Sequence, residues 1–188
     1  MNNEAFIQKV AEKVSKYAPL YGICVHSPII AQAIIESGWG KSGLASKYHN
    51  YFGLKCGSSW KGGSVNMTTK EEYKVGTITN IRDNFRVFDD FDDGIRGYFE
   101  FINTSRYANL KGVKNPEEYC RRIKADGYAT SSKYVDNIMR VIRDNKLTRF
   151  DGNGDDDMKK EELTGKVLSG KEIIDILAKR VIDGDYGT

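Results

Sequence analysis

Residues that favour β-strands are concentrated in one stretch of this chain, between Val65 and Val87. The stretch is rich in Val, Thr, Ile, Tyr and Phe, and Gly76 separates its two arms, Val65–Val75 and Thr77–Val87. A glycine between two such arms indicates a β-hairpin. Because the periodicity elsewhere is helical, the sequence predicts an α+β fold that is predominantly helical, with one inserted hairpin.

Apolar residues at helical spacing predict the helices. They extend over Asn3–Lys16, Pro28–Ser37, a segment from about Asp92, a segment from Asn115 to Gly127, and a segment after Ser132. The second helix has the clearest boundaries. Ser27 is a plausible N-cap, Pro28 fits the first helical position, and Gly38 fits the left-handed residue that ends a helix.

The chain of 188 residues is long enough for one well-packed domain with a short appendage. We expect a folded unit over residues 1–150, an acidic, Gly-rich linker over 151–170 and a short helix over 171–188. No stretch approaches the roughly 20 apolar residues that span a bilayer, and the N-terminus has no charged-then-apolar signal segment. The sequence therefore predicts a soluble protein without membrane insertion.

Three cysteines, Cys24, Cys56 and Cys120, form neither a disulfide framework nor a paired metal-binding motif. We expect them to be small buried hydrophobic residues in a reducing cytosol.

Glu36 lies near the end of the second predicted helix. Counting from Ile29, Ala33 is four residues on and Glu36 seven, so the carboxyl group falls on the same face as apolar side chains. Removal from water and the negative pole at a helix C-terminus both raise the pKa of a carboxyl group. Such a group stays protonated near neutral pH and can donate its proton to a leaving oxygen. Periodicity alone is equally compatible with a solvent-facing glutamate at a frayed helix end.

The segment from Ala33 to Ser42, which contains Glu36, reads AIIESGWGKS. It closely resembles the signature of lysozyme-superfamily enzymes, in which the glutamate that ends the helix is the general acid. Four later segments resemble, in order and spacing, the bacterial β-N-acetylglucosaminidases of glycoside hydrolase family 73: residues 50–55, 68–73, 85–88 and 127–131. The resemblance covers residues from about 5 to 147. It implies a lysozyme-like helical lobe, with the hairpin as a second lobe flanking a cleft.

This resemblance implies an endo-β-N-acetylglucosaminidase that hydrolyses β-1,4 glycosidic bonds of peptidoglycan glycan strands. Two alternatives are a muramidase or lytic transglycosylase on the same fold, and a non-catalytic cell-wall-binding module. The net charge of +7 over residues 1–150 favours polyanionic surroundings, either nucleic acid or a teichoic-acid-bearing cell wall. A nucleic-acid binder ranks last because no recognition helix is apparent. We expect a monomer with no cofactor and no metal.

The family carries a second acidic residue in a Glu-Tyr pair on the hairpin, which here is Glu72-Tyr73. Glu72 is therefore the candidate base, or the residue that stabilises positive charge on the sugar. Glu71 competes for this role, but neighbouring residues on a strand point to opposite faces. The sequence is compatible with two mechanisms: an inverting reaction, and attack by the substrate's own acetamido oxygen.

Aromatic residues are the candidates for substrate contact. Tyr128 matches a family tyrosine that assists the reacting sugar or its acetamido group, although Ser131 stands where the family often has Asp. Asn50, Tyr51 and Phe52 lie in the loop that resembles the family, and Tyr134 is a further candidate for the cleft wall. Trp39 and Trp60 could also stack on sugar rings, with Trp39 better explained as buried structure.

The tail carries two weaker signals. Five side chains fall at positions 1, 3, 5, 7 and 12 of a calcium-loop template: Asp151, Asn153, Asp155, Asp157 and Glu162. The turn glycine is missing, so an acidic linker explains them better. Residues 177–188 resemble the opening of a cell-wall-binding repeat of phage lysins. This suits an endolysin or autolysin that acts at the bacterial cell wall, outside the cell or after release from the cytoplasm during phage lysis.

Overall fold

A computed structural model describes residues 2–74 and 77–151; for residues 69–74 and 77–81 it describes the backbone alone. The predicted linker beyond Asp151, the terminal helix over 171–188 and the calcium-template positions after Asp151 lie outside the described residues. None of the described helices combines the length and the apolar character needed to span a bilayer.

The described part of the chain is mostly helical, as predicted. Its α-helices are α1 (Asn3–Tyr17), α2 (Ser27–Ser37), α3 (Gly43–Tyr48), α4 (Phe91–Ile102), α5 (Pro116–Ala125) and α6 (Tyr134–Asp144). Short 3₁₀ helices span Ala18–Tyr21, Ser105–Leu110 and Leu147–Phe150. Helix α3 was not predicted, because its six residues are too short to show a periodic pattern; the Ser42 side chain caps it by accepting from the Ala45 N–H.

The predicted hairpin is present as two antiparallel strands, β1 (Ser64–Lys74) and β2 (Thr77–Arg86). The register pairs Ser64 with Arg86 at the base and is irregular between Glu71 and Lys74. A bridge between Lys55 and Phe85 joins the base of the hairpin to the preceding loop. This arrangement places the end of β2 beside the loop that follows α3.

Helix α2 lies at the centre of the core. Its residues from Ser27 to Ile34 are all buried, and it contacts α1, α5 and α6. A helix that is apolar all round is stable only when neighbours cover every face. The position of α2 is therefore set by the surrounding helices, and only its last turn, at Ile35 and Glu36, is exposed.

The start of α2 differs from the prediction. Ser27 is the first helical residue rather than the cap, and His26, at the cap position, makes no side-chain cap bond. Asp151 fills this role from the other end of the domain. Its Oδ1 accepts from the backbone N–H groups of His26 (2.7 Å) and Ser27 (2.6 Å), and its Oδ2 accepts from the Ser27 hydroxyl (2.5 Å). A carboxylate at this end also interacts favourably with the helix dipole.

The end of α2 is as predicted. Gly38 adopts the left-handed conformation (φ 55°), which glycine reaches without steric cost. Trp39 (φ 62°) and Gly40 (φ 74°) continue the left-handed turn. The Ser37 hydroxyl stabilises it by donating to the Ala33 carbonyl and accepting from the Gly40 N–H. The chain therefore turns away immediately after Glu36.

The cysteines differ partly from the prediction. Cys120 is buried, but Cys56 is half-buried and Cys24 is exposed. Cys24 follows the 3₁₀ turn that precedes α2, and it is exposed although its neighbours Ile23 and Val25 are buried.

We predict that Asp151→Ala lowers the free energy of unfolding by about 1–2 kcal/mol, because two backbone donors and a hydroxyl lose their acceptor. Urea unfolding of the full chain measures this. The control is Asp144→Ala, which removes an exposed carboxylate at the end of α6 and should change stability by less than about 0.5 kcal/mol. Equal losses for the two variants would contradict the capping role.

Candidate active site

A cleft of about 880 Å³ lies along the exposed end of α2. Its walls are formed by the loop after α3, the end of β2, the α4 end with the following 3₁₀ helix, and the segment joining α5 to α6. Both acidic and basic side chains line it, among them Glu36, Lys55 and Arg86. The volume is within the range of roughly 300–1,000 Å³ typical of ligand sites.

Glu36 lies on the cleft wall, in the last turn of α2. A Cβ built on Gly53 would lie 3.5 Å from Glu36 Oε2, so the loop after α3 passes close to the carboxyl group. The side chain is nevertheless exposed. The expected burial among apolar side chains is therefore wrong: the left-handed turn at Gly38 leaves the last helical turn uncovered on the cleft side.

Tyr128, in the segment between α5 and α6, lines the same cleft as Glu36. Its hydroxyl donates to the Phe52 carbonyl (3.0 Å), and its ring makes edge contacts with Tyr98 and Phe101. Burial raises the pKa of the Tyr128 phenol well above its ordinary value, and the negative charge of Glu36 raises it further. The phenol therefore remains protonated through the neutral range.

Tyr134, at the start of α6, lines the same cleft. Its hydroxyl accepts a hydrogen bond from Gln32 Nε2 (2.6 Å). Since Gln32 supplies the proton of that bond, the hydroxyl hydrogen of Tyr134 remains available for another acceptor. Burial, followed by the charge of Glu36, raises the pKa of Tyr134 well above its ordinary value. Tyr134 is thus a neutral hydrogen-bond donor near Glu36.

Gln32 connects this site to the core. It lies one helical turn before Glu36, and its Oε1 accepts from the buried Tyr98 hydroxyl (2.7 Å). Tyr98 also bonds Tyr119 (2.8 Å). Because Tyr98 has one proton, already donated to Gln32, Tyr119 is the donor of the second bond. Gln32 was not among the predicted site residues, although a polar residue inside a mostly apolar helix was a signal.

An aromatic surface forms another wall of the cleft. Phe52 and Trp60 both line it, but Phe52 is only 2% exposed because it stacks on Tyr98 with ring centroids 4.3 Å apart, so its predicted contact with substrate is at most marginal. Trp60 contacts the guanidinium of Arg86 at 4.6 Å. Trp39 packs edge-on against Phe6 instead, as expected of a structural residue.

Asn50 and Tyr51 lie inside the fold rather than on the cleft wall. Asn50 is 1% exposed; its side-chain amide donates to the carbonyls of Leu54 and Arg86 and accepts from the Leu54 N–H. Tyr51 is 7% exposed and packs against Phe91. The Gly-rich composition of this loop indicated a substrate surface, whereas these two side chains hold the loop in place.

Glu72 and Glu71 lie on β1, and their side chains are outside what the structure describes. The backbone nevertheless bears on the choice between them. The register shift between Glu71 and Lys74 includes Glu72, and such a bulge interrupts the regular alternation of faces along a strand. The geometric reason for excluding one of the two carboxylates therefore does not hold at this position.

The residues that the structure describes contain no group of three or more His, Cys, Asp or Glu side chains able to hold a metal ion. Asp151, the first position of the calcium template, uses both carboxylate oxygens at the start of α2. This side chain stabilises the fold.

Comparison with known sequences identifies one family. The profile of the family described as Glucosaminidase, mannosyl-glycoprotein endo-beta-N-acetylglucosaminidase, matches residues 11–147. The peptidoglycan hydrolase FlgJ of Pseudomonas aeruginosa is 32% identical over 146 residues, which are 74% of this chain and 36% of FlgJ. The exo-glucosaminidase LytG of Bacillus subtilis is 34% identical over 128 residues, 65% of this chain and 44% of LytG. The chain thus spans less than half the length of these relatives.

A solved structure supports the fold. The structure described as a peptidoglycan hydrolase mutant from Sphingomonas sp. A1 superimposes with a TM-score of 0.68 at 31% identity. The alignment covers 78% of this chain and 96% of that one. This chain therefore shares its fold, helices with a small two-stranded sheet, with that peptidoglycan hydrolase.

We predict that Gln32 and Tyr134 are energetically coupled. Gln32→Met leaves the buried hydroxyl of Tyr98 without its acceptor and should lower the free energy of unfolding by about 2 kcal/mol; Tyr134→Phe should cost about 1 kcal/mol. The loss of unfolding free energy in the double variant should be smaller than the sum of the two single losses by at least about 0.5 kcal/mol. Both single changes remove the same hydrogen bond, between Gln32 and Tyr134. Urea unfolding measures the cycle, and strict additivity would contradict the connection.

Proposed function

Because this chain belongs to the glucosaminidase family of glycoside hydrolases, we propose that it hydrolyses β-1,4 bonds of peptidoglycan glycan strands. It acts as an endo-β-N-acetylglucosaminidase at the bacterial cell wall, with Glu36 as the general acid. The observation that carries this proposal is the exposed carboxyl group of Glu36 on the wall of a cleft that also presents two neutral phenols. The cleft is built from one chain, so a monomer suffices.

In the proposed reaction, Glu36 donates its proton to the glycosidic oxygen as the bond to the anomeric carbon breaks. Positive charge develops on the sugar ring that contains the anomeric carbon. A water molecule then adds its hydroxide to that carbon and gives its proton to a base of the site. Glu72 is the proposed base for that water. The alternative is attack by the substrate's acetamido oxygen, which forms a cyclic intermediate that water then opens.

The two phenols have distinct proposed roles. The Tyr134 oxygen already accepts a hydrogen bond from Gln32. Tyr134 therefore donates its hydroxyl hydrogen, either to the substrate or to the Glu36 carboxylate. Tyr128 donates to the Phe52 carbonyl, so its oxygen is suited to accept the N–H of an acetamido group. A substrate held in this way would present its acetamido oxygen to the anomeric carbon.

The half-buried Trp60 is the proposed stacking surface for sugar rings, and the buried Phe52 supports the cleft wall by stacking on Tyr98. Asn50 and Tyr51 act indirectly, by holding the loop that carries Phe52.

We predict that Glu36→Gln lowers the rate of hydrolysis of purified peptidoglycan by roughly 100-fold or more, because glutamine cannot donate a proton to the leaving oxygen. Glu72→Gln should lower the rate but leave measurable activity. The matched control is Glu117→Gln, a partly exposed glutamate on α5 that pairs with Arg121, and it should retain activity within about twofold. Wild-type activity in Glu36→Gln would refute the assignment.

Mass spectrometry of the released fragments distinguishes the alternatives in the same experiment. A new N-acetylglucosamine reducing end supports a glucosaminidase, and a new N-acetylmuramic acid end indicates a muramidase. A non-reducing anhydro product indicates a lytic transglycosylase. Binding without fragment release would identify a cell-wall-binding module. The configuration of the first product distinguishes base-assisted inversion by Glu72 from retention through the acetamido group.

A further inference from the structure

Arg86, the last residue of β2, is fixed at the cleft wall. Its backbone N–H donates to the Leu54 carbonyl, and its carbonyl accepts from Asn50. The side-chain Nε donates to the Lys55 carbonyl at 3.1 Å. These bonds fix the backbone and the Nε of Arg86. The two terminal NH₂ groups of the guanidinium, with four N–H donors, remain for other acceptors.

Two aromatic rings hold the guanidinium group. It lies 4.6 Å from the centre of the Trp60 ring and 5.2 Å from that of Phe101. Trp60 is itself fixed: its indole N–H donates to the Gly63 carbonyl (2.9 Å), and its ring packs so closely on Gly62 that a Cβ there would clash at 2.4 Å. Arg86 is therefore preorganised, and little side-chain entropy is lost when it binds a ligand.

The guanidinium is half-buried, and this burial lowers the pKa of Arg86 from its ordinary value. An arginine still keeps its charge at neutral pH. Among the described residues, no carboxylate lies within ion-pair distance of Arg86; Glu100, which acts on it electrostatically, pairs with Arg96 at 3.4 Å. A partly desolvated cation without an ion-pair partner favours an anionic ligand.

Among the described residues, two other cations line the cleft, and both differ from Arg86. Lys55 lies 3.1 Å from the carboxylate of Asp83. Arg106, like Arg86, donates its Nε to a backbone carbonyl, that of Asp126, but Arg106 is exposed and therefore stays hydrated. Arg86 is thus the cation best placed to meet a negative group on a bound strand, and the fork of a guanidinium matches the two oxygens of a carboxylate.

We propose that Arg86 binds a carboxylate carried by the muramic acid unit of the glycan and so selects peptidoglycan over neutral polymers of N-acetylglucosamine. This inference rests on the proposed function, because it assigns the substrate class of the same cleft. The carboxylate has two sources: the lactyl group of a strand without peptides, or the stem peptide of a substituted strand. In an intact strand the lactyl group forms an amide with the stem, so the two sources can be tested separately.

The test measures dissociation constants by calorimetry for short fragments of three kinds: stem-bearing strands, peptide-free strands with lactyl carboxylates, and chitin oligosaccharides. The proteins carry Glu36→Gln to prevent cleavage, alone or with Arg86→Gln or Arg86→Lys. Arg86→Gln should weaken binding of at least one carboxylate-bearing fragment by roughly 10- to 100-fold and leave chitin binding within about twofold. Arg86→Lys should be intermediate, because it keeps the charge but loses the fork.

The outcomes separate this inference from the proposed function. A loss confined to stem-bearing fragments identifies the stem carboxylates, and a loss confined to peptide-free strands identifies the lactyl group. Equal weakening for chitin and for both charged fragments would show that Arg86 only supports the fold of the cleft, and would overturn the inference while the function stands. If no glycan of any kind bound with Arg86 intact, the proposed function itself would fail. Arg140→Gln, an exposed arginine on α6, is the control.

Discussion

The burial of α2 is the constraint on which the rest of the structure depends. Helix α2 is apolar over most of its surface, so α1, α5 and α6 must enclose it. Its two ends are then fixed by specific interactions, the Asp151 carboxylate at the start and the left-handed turn at Gly38 at the end. Glu36 precedes that turn, so its carboxyl group lies at the cleft although Ile34 and Ser37 beside it are buried.

The same helix also carries polar groups into the core. Gln32 lies one turn before Glu36 and joins Tyr98 and Tyr134 through hydrogen bonds of 2.7 and 2.6 Å. Buried polar groups are costly unless every donor and acceptor is paired. Here the pairing fixes the direction of the bonds and leaves the Tyr134 hydrogen for a further acceptor. A core interaction thereby determines which hydrogen bonds the site can offer.

Local signals in the sequence predicted much of the fold. The helical segment that begins at Asn115, the stop at Gly38 and the single hairpin were all recognised, because each depends on residues close in the chain. Interactions between distant residues were not recognised. Asp151 lies 124 residues from Ser27, and no local pattern connects them. The burial of Asn50 likewise depends on the carbonyl of Arg86. The lysozyme-type motif drew attention to Glu36, which lies on a cleft wall, whereas the exposure of Glu36 depends on how the chain turns after it.

The proposed function requires that Glu36 delivers a proton to the leaving oxygen. Hydrolysis rates of wild type and Glu36→Gln on two glycosides that share one glycan chain but differ in their leaving group test this step. A sugar leaves slowly without a proton, whereas dinitrophenolate needs none. We expect a loss of roughly 100-fold or more for the sugar and less than about tenfold for dinitrophenolate. Equal losses for both substrates would show that Glu36 is not the proton donor.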